Sequence, residues 1–465
     1  MNNKQLYTAP EIRETVAQGS MSARLWTQKA LARAQDFADD RIFITLDDNG
    51  ALKAADAIDT RLSHGAPPRP LEGVPFVVKD NIAAAAMPFT GGSTALNLPM
   101  PTEDPPLVQT LKEAGAVLLG KANLHEFAFG ATSENAAFGA VRNPHDPRYS
   151  AGGSSGGTAA AVARAIAPIG LGTDTGGSGR IPASFCGCVG FRPSTARYSA
   201  EGILPLTWTL DSAATFGTCV DDIMIMDRLL SGVASPPDQV RWAQGDGPRL
   251  AVPSAATLEA MDQSVATAFS HVTASLAQCG CDIVDVNLTE IFAFDAAAAF
   301  PLAMFEANAL WRDLLEREGV SPEALAAEIT SRDVADVFRQ IFASPVLQQA
   351  YKDAMKAVQR LRRAYSQMFM STKADAIVFP TVPVPPPLLG CGDMLDINGE
   401  AHPLFPALVR HTSPGALGAL PGISIPAGQL ALGLPFGVEL DGPAGHDSAL
   451  LATAAWAEAA LKDIA

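Results

Sequence analysis

The chain has 465 residues, of which 48% are hydrophobic and 18% charged, with a formal net charge of −16. This is enough apolar material for a large core; length alone suggests two or three domains, but large α/β enzymes often build one sheet with many helices. The acidity argues against nucleic acid or an anionic membrane as a partner, because phosphate contacts need clustered Lys and Arg. The first twenty residues lack an apolar signal core, and the apolar run 416–440 is interrupted by Gly and Pro. We therefore expect a cytoplasmic protein without membrane spans.

The first part of the chain is predicted to be mainly helical. Apolar residues recur at helical spacing, and Ser22 can cap a helix N-terminus. The Gly- and Pro-rich stretch 65–70 ends this section, so we predict a helical cover over 1–65 and a main domain over 66–465. The predicted elements of the cover are a helical hairpin over 9–37, a strand over 42–46, a turn at Asn49-Gly50 and a helix over 51–62.

The main domain alternates strand and helix patterns, which is typical of an α/β fold. A short apolar strand over 74–79 ends in Lys79, a residue type that is seldom buried without a partner. The other predicted strands are 116–119, 374–379, 423–425 and 437–440. The other predicted helices are 107–115, 123–129, 158–167, 219–232 and 448–461.

Two glycine-framed serine loops stand out in the sequence, GGSSGG over 152–157 and GTDTGGSGR over 172–180. Glycine lets a chain bend sharply and lets a ligand approach the backbone. One such loop could be an ordinary turn, whereas two loops together with Lys79 upstream predict a catalytic site. A Gly-rich loop can also bind phosphate, but the sequence contains no G-x-x-x-x-G-K-[ST] motif.

These motifs resemble the amidase signature family of serine hydrolases, which carry a Ser-cisSer-Lys triad. The resemblance is strong over residues 60–230 and weak towards the C-terminus. It implies an α/β fold with one large, mixed, mostly parallel sheet wrapped by many helices. Phrases shared with the arylacetamide type, such as mandelamide and indoleacetamide hydrolases, are 77–82, 141–144 and 189–194.

The resemblance also implies roles for the two loops. Ser178 matches the nucleophile, Ser154 the bridging serine after a cis peptide bond, and Ser155 a supporting serine. Lys79 matches the base. A serine hydroxyl needs such a base, and burial lowers the pKa of a lysine towards neutrality. Neutral Lys79 would then draw the proton of Ser154, which draws that of Ser178.

A histidine base is not indicated, because no G-x-S-x-G elbow or Ser-His-Asp setting is present. His125 and His145 are expected at the surface or at helix ends. Asp174 and Arg180 are predicted to form an ion pair that pins the ends of the nucleophile loop. The predicted oxyanion donors are the backbone N–H groups of Thr175, Gly176, Gly177 and Ser178.

The resemblance implies that a loop facing the scissile bond contacts the substrate and that an aromatic side chain lies beside it. These predicted contacts are Ala128, Phe129, Gly130, Thr132 and Trp208. Gly179 replaces a branched residue or Thr often found after the nucleophile and also occurs in allophanate-hydrolase-like members.

Residues 240–375 carry no catalytic motif and are predicted to be a helical region that shapes the substrate pocket. Most of its aromatic residues are expected in the core, with a few lining the pocket. They are Phe292, Phe294, Phe300, Phe305, Trp311, Phe338 and Phe342. The six cysteines, at 186, 188, 219, 279, 281 and 391, lack the usual C-x₂-C metal spacing and are expected to be buried thiols. No metal or cofactor is predicted.

The sequence therefore predicts a serine amidohydrolase that cleaves a primary or aryl-substituted carboxamide through an acyl-enzyme on Ser178. Two alternatives within catalysis stay open: a urea-type substrate such as allophanate, and the A subunit of a tRNA-dependent amidotransferase. A catalytically dead binding paralogue conflicts with the intact Lys79, Ser154 and Ser178. The predicted partner is a small amide substrate, and the N-terminal helices could form a homodimer contact.

Overall fold

A computed structural model of the chain describes residues 6–232 and 247–462. Within these ranges the protein is an α/β structure with one large sheet and a separate two-stranded hairpin. The strands are β1 (Phe43–Leu46), β2 (Pro75–Lys79), β3 (Val117–Ala122), β4 (Ile169–Thr173), β5 (Val189–Arg192), β6 (Ala213–Gly217), β7 (Arg249–Pro253), β8 (Asp282–Val286), β9 (Ala376–Pro380), β10 (Met394–Ile397), β11 (Glu400–Pro403), β12 (Gly422–Gln429) and β13 (Pro435–Asp441).

The helices surround the sheet. They are α1 (Ala9–Ala17), α2 (Ala23–Asp36), α3 (Asp48–Ser63), α4 (Pro106–Glu113), α5 (Gly156–Ala163), α6 (Arg180–Cys186), α7 (Val220–Ser231), α8 (Gln263–Gln278), α9 (Thr289–Glu318), α10 (Pro322–Glu328), α11 (Arg332–Ala343), α12 (Gln348–Thr372), α13 (Leu404–Val409), α14 (Thr412–Leu417) and α15 (Asp447–Leu461).

Among the described residues the large sheet has eleven strands in the order β1-β3-β2-β4-β6-β5-β12-β13-β9-β7-β8. Parallel neighbours are β2 with β3 and β4, and β7 with β8 and β9. The other six neighbouring pairs are antiparallel. The predicted α/β class with one large mixed sheet is confirmed, although antiparallel pairs outnumber the parallel ones by six to four because β5, β6, β12 and β13 pair antiparallel in its middle.

The parallel pair β2 and β4 positions the site. Both strands are buried along their whole length, as expected for apolar runs covered by helices on both faces. Val78 of β2 is in register with Leu171 of β4. The carboxyl ends of parallel strands meet at one edge of a sheet, so Lys79 and Thr173 emerge side by side.

The helical hairpin predicted over 9–37 is confirmed as α1 and α2, and Ser22 caps α2 by accepting from the Leu25 amide at 3.1 Å. The turn predicted at Asn49-Gly50 is wrong. Both residues lie in the first turn of α3, because the Asp47 side chain caps this helix by accepting from the Gly50 amide at 2.9 Å. β1 pairs with β3, so the N-terminal section also contributes a strand to the sheet.

Two further predictions need correction. The helix predicted over 123–129 is only a 3₁₀ turn, Glu126–Ala128, because Phe127 and Ala128 have φ of 50° and 65°, which an α-helix cannot accommodate. The region 240–375 is not purely helical, since it also contributes β7 and β8 to the edge of the sheet. Its first residues, 240–246, lie outside the described residues.

Candidate active site

Lys79 lies at the centre of the candidate site. Its side chain is fully buried, and Nζ donates to Ser154 Oγ and to Thr173 Oγ1, each at 2.7 Å. Burial lowers the pKa of Lys79 to about 7, although the negative charges of Asp174 and Asp211 act to raise it. A substantial fraction of the amine is therefore uncharged near neutral pH, as a general base requires.

Ser154 follows a cis peptide bond between Gly153 and Ser154. Its carbonyl oxygen accepts from the His125 amide at 3.1 Å and from Ser133 Oγ at 3.2 Å. A Cβ at Gly153 would lie 2.8 Å from the backbone nitrogens of Thr132 and Ser133, so only glycine fits there. The bridging serine is thus held against segment 131–133.

The two serine loops are bonded to each other. The Ser155 amide donates to the Ser178 carbonyl at 3.2 Å, and Ser155 Oγ donates to the Thr173 carbonyl at 3.1 Å. Ser178 is partly exposed, whereas Lys79 and Ser154 are fully buried. The structure thus brings Lys79, Ser154, Ser155 and Ser178 to one edge of the sheet, and of these four residues only Ser178 is partly exposed.

Not all four predicted oxyanion amides are free. The Gly177 amide donates to Asp174 Oδ1 at 2.8 Å. The amides of Thr175, Gly176 and Ser178 donate to no acceptor within residues 6–232 and 247–462. These three N–H groups are the ones available to a developing oxyanion.

The predicted ion pair between Asp174 and Arg180 is present. Arg180 Nε lies 2.9 Å from Asp174 Oδ2, and the Gly179 amide donates to the same oxygen at 3.1 Å. Burial raises the pKa of Asp174, but the charge and hydrogen bonds of Arg180 and the charge of Arg192 outweigh it and hold this pKa at about 2. Asp174 is therefore ionised and pins both ends of the nucleophile loop.

Two further acids surround Arg180, and the sequence reasoning missed both. Arg180 donates to Glu439, and its Nη1 lies 3.9 Å from Asp441 Oδ1. Burial raises the pKa of Glu439 well above its usual range and that of Asp441 to about 6. The available signal was a pair of acids in the otherwise apolar strand β13.

Phe129 and Ala128 are partly exposed, as a substrate contact requires. The Phe129 ring lies 4.9 Å from that of Phe338 and 6.2 Å from that of Trp311. Phe127 also packs on Trp311, at 4.8 Å. These four aromatic residues belong to a second hydrophobic core beneath the loop.

Gly130 and Thr132 are buried next to His125. A Cβ at Gly130 would lie 2.2 Å from the imidazole, and Thr132 Oγ1 is 3.4 Å from His125 Nδ1. Of the two positions expected for His125, the surface is wrong, because its Nε2 bonds Asp333 Oδ2 at 2.8 Å. This partner comes from α11, 208 residues later, so no local signal could have revealed it. His125 does lie at a helix end, as the N-cap of the 3₁₀ turn Glu126–Ala128.

Trp208 is 51% exposed, and its ring lies 6.3 Å from that of Tyr351. Tyr351 in turn stacks on Phe305 at 4.2 Å. Trp208 thus packs with rings of α9 and α12, whereas Phe129 packs with rings of α9 and α11. The two form separate aromatic groups.

The aromatic residues of 240–375 are less buried than expected. Of the seven rings named from the sequence, only Trp311 and Phe338 are fully buried, Phe300 is 54% exposed, and the other four are partly exposed. The second hydrophobic core takes only Trp311 and Phe338 of these rings into its buried interior, and Phe342 packs against it while partly exposed. His145 is exposed, as expected.

The cysteine prediction holds in part. All six are free thiols, but only Cys186, Cys188 and Cys281 are buried. No group of three or more His, Cys, Asp or Glu side chains among the described residues could hold a metal ion. No helix in the described ranges is long and apolar enough to cross a membrane.

Comparison with known proteins extends over nearly the whole chain. The family model described as Amidase matches residues 26–451. Mandelamide hydrolase of Pseudomonas putida is 35% identical, with 98% of this chain and 91% of that protein covered. Indoleacetamide hydrolase of Agrobacterium vitis is 36% identical, covering 90% and 89% respectively. A crystal structure of an amidase superposes with a TM-score of 0.88 at 32% identity, covering 98% of this chain and all of the other.

Proposed function

Because this chain belongs to the amidase family and is a hydrolase of carbon–nitrogen amide bonds, we propose that it cleaves aryl-substituted carboxamides through an acyl-enzyme on Ser178. The observation that carries this proposal is the fully buried Lys79, which donates to Ser154 and Thr173 at 2.7 Å. A lysine that is half deprotonated near neutral pH can act as the base of a serine hydrolase.

The proposed reaction begins when neutral Lys79 accepts the proton of Ser154, and Ser154 accepts that of Ser178. Ser178 Oγ attacks the amide carbonyl of the substrate. The free amides of Thr175, Gly176 and Ser178 donate to the carbonyl oxygen as it becomes negatively charged. The relay then returns a proton to the leaving nitrogen. Water attacks the acyl group by the same relay, and the carboxylic acid leaves.

Two aromatic groups support an aryl substituent on the substrate. Phe129 is partly exposed and packs on Phe338 and Trp311. Trp208 is 51% exposed and packs beside Tyr351. Aromatic side chains favour aromatic ligands by edge and stacking contacts. The names of the mandelamide and indoleacetamide hydrolases agree with this choice of substrate class. A cytoplasmic location and a homodimer through the N-terminal helices stay predictions.

The test is a panel of amides supplied to the purified protein alone, with ammonia release as the readout. We expect the highest kcat/KM for phenylacetamide and indoleacetamide. A preference for allophanate would instead assign a urea-type enzyme. Ammonia released only from glutamine, and only with added partner subunits, would assign an amidotransferase subunit.

A matched pair of variants tests the aromatic contact. Phe129→Ala should lower kcat/KM for phenylacetamide about tenfold while leaving acetamide within twofold, since an aromatic contact contributes about 0.5–1.5 kcal/mol beyond its buried area. Phe300→Ala is the control, because Phe300 is a 54% exposed ring of α9. Equal losses for both amides in Phe129→Ala would contradict the contact.

A further inference from the structure

Two segments distant in sequence hold the nucleophile loop, residues 174–179, at adjacent positions. Thr175 Oγ1 donates to Asp211 Oδ1 at 2.7 Å. Thr412 Oγ1 donates to the Gly176 carbonyl at 2.6 Å. Thr175 and Gly176 are two of the three residues whose amides are free for an oxyanion. Asp211 thus holds the side chain of Thr175. Thr412 holds the peptide group between Gly176 and Gly177, which lies between the free amides of Gly176 and Ser178.

The Asp211 segment is itself fixed on both sides. Asp211 Oδ2 accepts from the amides of Leu206 and Thr207 at 2.7 and 3.0 Å, which closes residues 206–211 into a compact loop. Thr209 within that loop donates to Glu306 of α9, from its amide at 2.9 Å and from Oγ1 at 2.5 Å. Glu306 is fully buried.

The Thr412 segment is fixed to the same helix. Ser413 Oγ donates to Asp295 Oδ1 of α9 at 2.7 Å. His411 Nδ1 lies 2.7 Å from the Pro380 carbonyl at the end of β9. The two neighbours of Thr412 are thus bonded to the sheet and to α9, while Thr412 itself bonds to the nucleophile loop.

Asp295 and Glu306 share one face of α9. They are eleven residues apart, which is about three helical turns and about 16 Å along the axis. Ala298 and Leu302, on the same face between them, are fully buried. Tyr351 of α12 also donates to Glu306, at 3.0 Å. One helix therefore presents two carboxylates to the two segments that hold the nucleophile loop.

We propose that α9 is a positioning helix for the oxyanion hole, with Glu306 and Asp295 as positioning residues that act through segments 206–211 and 410–413. This inference rests on the proposed function, since an oxyanion hole has meaning only for acyl transfer. Oxyanion donors act over a narrow range of about 2.7–3.1 Å. A displacement of about 1 Å can reduce rate about a hundredfold.

Variants that disturb the contacts without touching the triad test the proposal. Thr412→Val keeps the side-chain shape but removes the donor to Gly176, and Thr412→Ser restores the hydroxyl. Glu306→Gln places an amide NH₂ where the carboxylate accepts from Thr209 and Tyr351. Thr412→Val should lower kcat about 10–100-fold and Glu306→Gln about tenfold, with KM within about twofold, because the loss falls on the transition state. Thr412→Ser should stay within about threefold of the wild type.

Glu290→Gln is the matched control, because Glu290 is an exposed glutamate in the first turn of the same helix. It should leave kcat unchanged. Unfolding temperatures of all variants show whether a loss of activity reflects a loss of fold. The proposal is overturned if Thr412→Val and Glu306→Gln keep wild-type kcat, or if Thr412→Ser is as impaired as Thr412→Val in folded protein.

A second readout separates this inference from the proposed function. An alkyl fluorophosphonate labels an activated serine and develops charge on its oxygen as the bond forms. Labelling of wild-type Ser178 with slower labelling of Thr412→Val and Glu306→Gln supports both proposals. Equal labelling rates in wild type and variants overturn the positioning role alone. A wild type that is not labelled at Ser178 overturns both.

Discussion

The amine of Lys79 lies 2.7 Å from the hydroxyl of Ser154, in a position closed to solvent. A buried amine is costly when charged, so burial favours the neutral form that can accept a proton. In the proposed mechanism, Lys79 is the base beside Ser154, and the partly exposed Ser178 is the group that attacks the substrate.

The first prediction concerns the nucleophile. Ser178→Ala should lower kcat by a factor on the order of 10⁶ or to background, as removal of a triad nucleophile does. A slowly hydrolysed aryl ester should leave an acyl adduct on Ser178 of the wild type, detected by peptide mass spectrometry. An adduct on one of the cysteines, or turnover retained in folded Ser178→Ala, would refute the assignment.

Substitution of Lys79 separates basicity from charge. Lys79→Ala and Lys79→Arg should both lower kcat/KM by roughly 10²–10⁴, because neither side chain can accept a proton at working pH. Lys79→Met should unfold at a temperature no lower than the wild type, since it removes a buried amine. Near-full activity in Lys79→Arg would mean that the lysine supplies charge, and the relay would have to be abandoned.

The sequence was most informative where chemistry is local. The strand ending in Lys79, the two serine loops and the Asp174–Arg180 pair were each predicted from a short motif, and each lies where its pattern indicated. Thr173 was also within reach, because it lies in the second loop motif and at the end of β4. It was missed because threonine is common in β-strands, so its presence in one does not indicate a function.

Other parts of the site depend on contacts between distant segments. His125 is buried because Asp333 reaches it from α11. Arg180 donates to Glu439 of β13, which is the last strand in chain order. Thr412 reaches the nucleophile loop over 236 residues. The helix predicted over 123–129 failed for the same reason, since burial of Phe127 and His125 in tertiary contacts outweighs local helical propensity.

The buried charge cluster yields a prediction on stability. Arg180→Met should destabilise the protein by about 3–5 kcal/mol, because it leaves the buried Asp174 carboxylate without its main partner. Urea unfolding measures this loss. Arg148→Met is the control, since Arg148 forms a comparable ion pair with Asp146 at 2.6 Å but is exposed, and it should leave the unfolding midpoint unchanged. Equal midpoints for the two variants would contradict a structural role for Arg180.

The proposed mechanism uses side chains and backbone amides alone. Dialysis against EDTA or 1,10-phenanthroline should therefore leave kcat/KM unchanged, measured against a mock-dialysed sample. Loss of activity that zinc restores would reveal a metal site that the described residues do not suggest.

The most direct test of the account is the pH dependence of kcat/KM for the wild-type protein on a good amide substrate. Because burial holds the pKa of Lys79 at about 7 and the neutral amine is the active form, kcat/KM should rise about tenfold per pH unit below that value and level off above it. Heating should move the midpoint to lower pH, because the pKa of an amine falls on heating whereas that of a carboxyl group does not. A profile that is flat from pH 5.5 to 9, or that falls as pH rises through neutrality, would contradict Lys79 as the base.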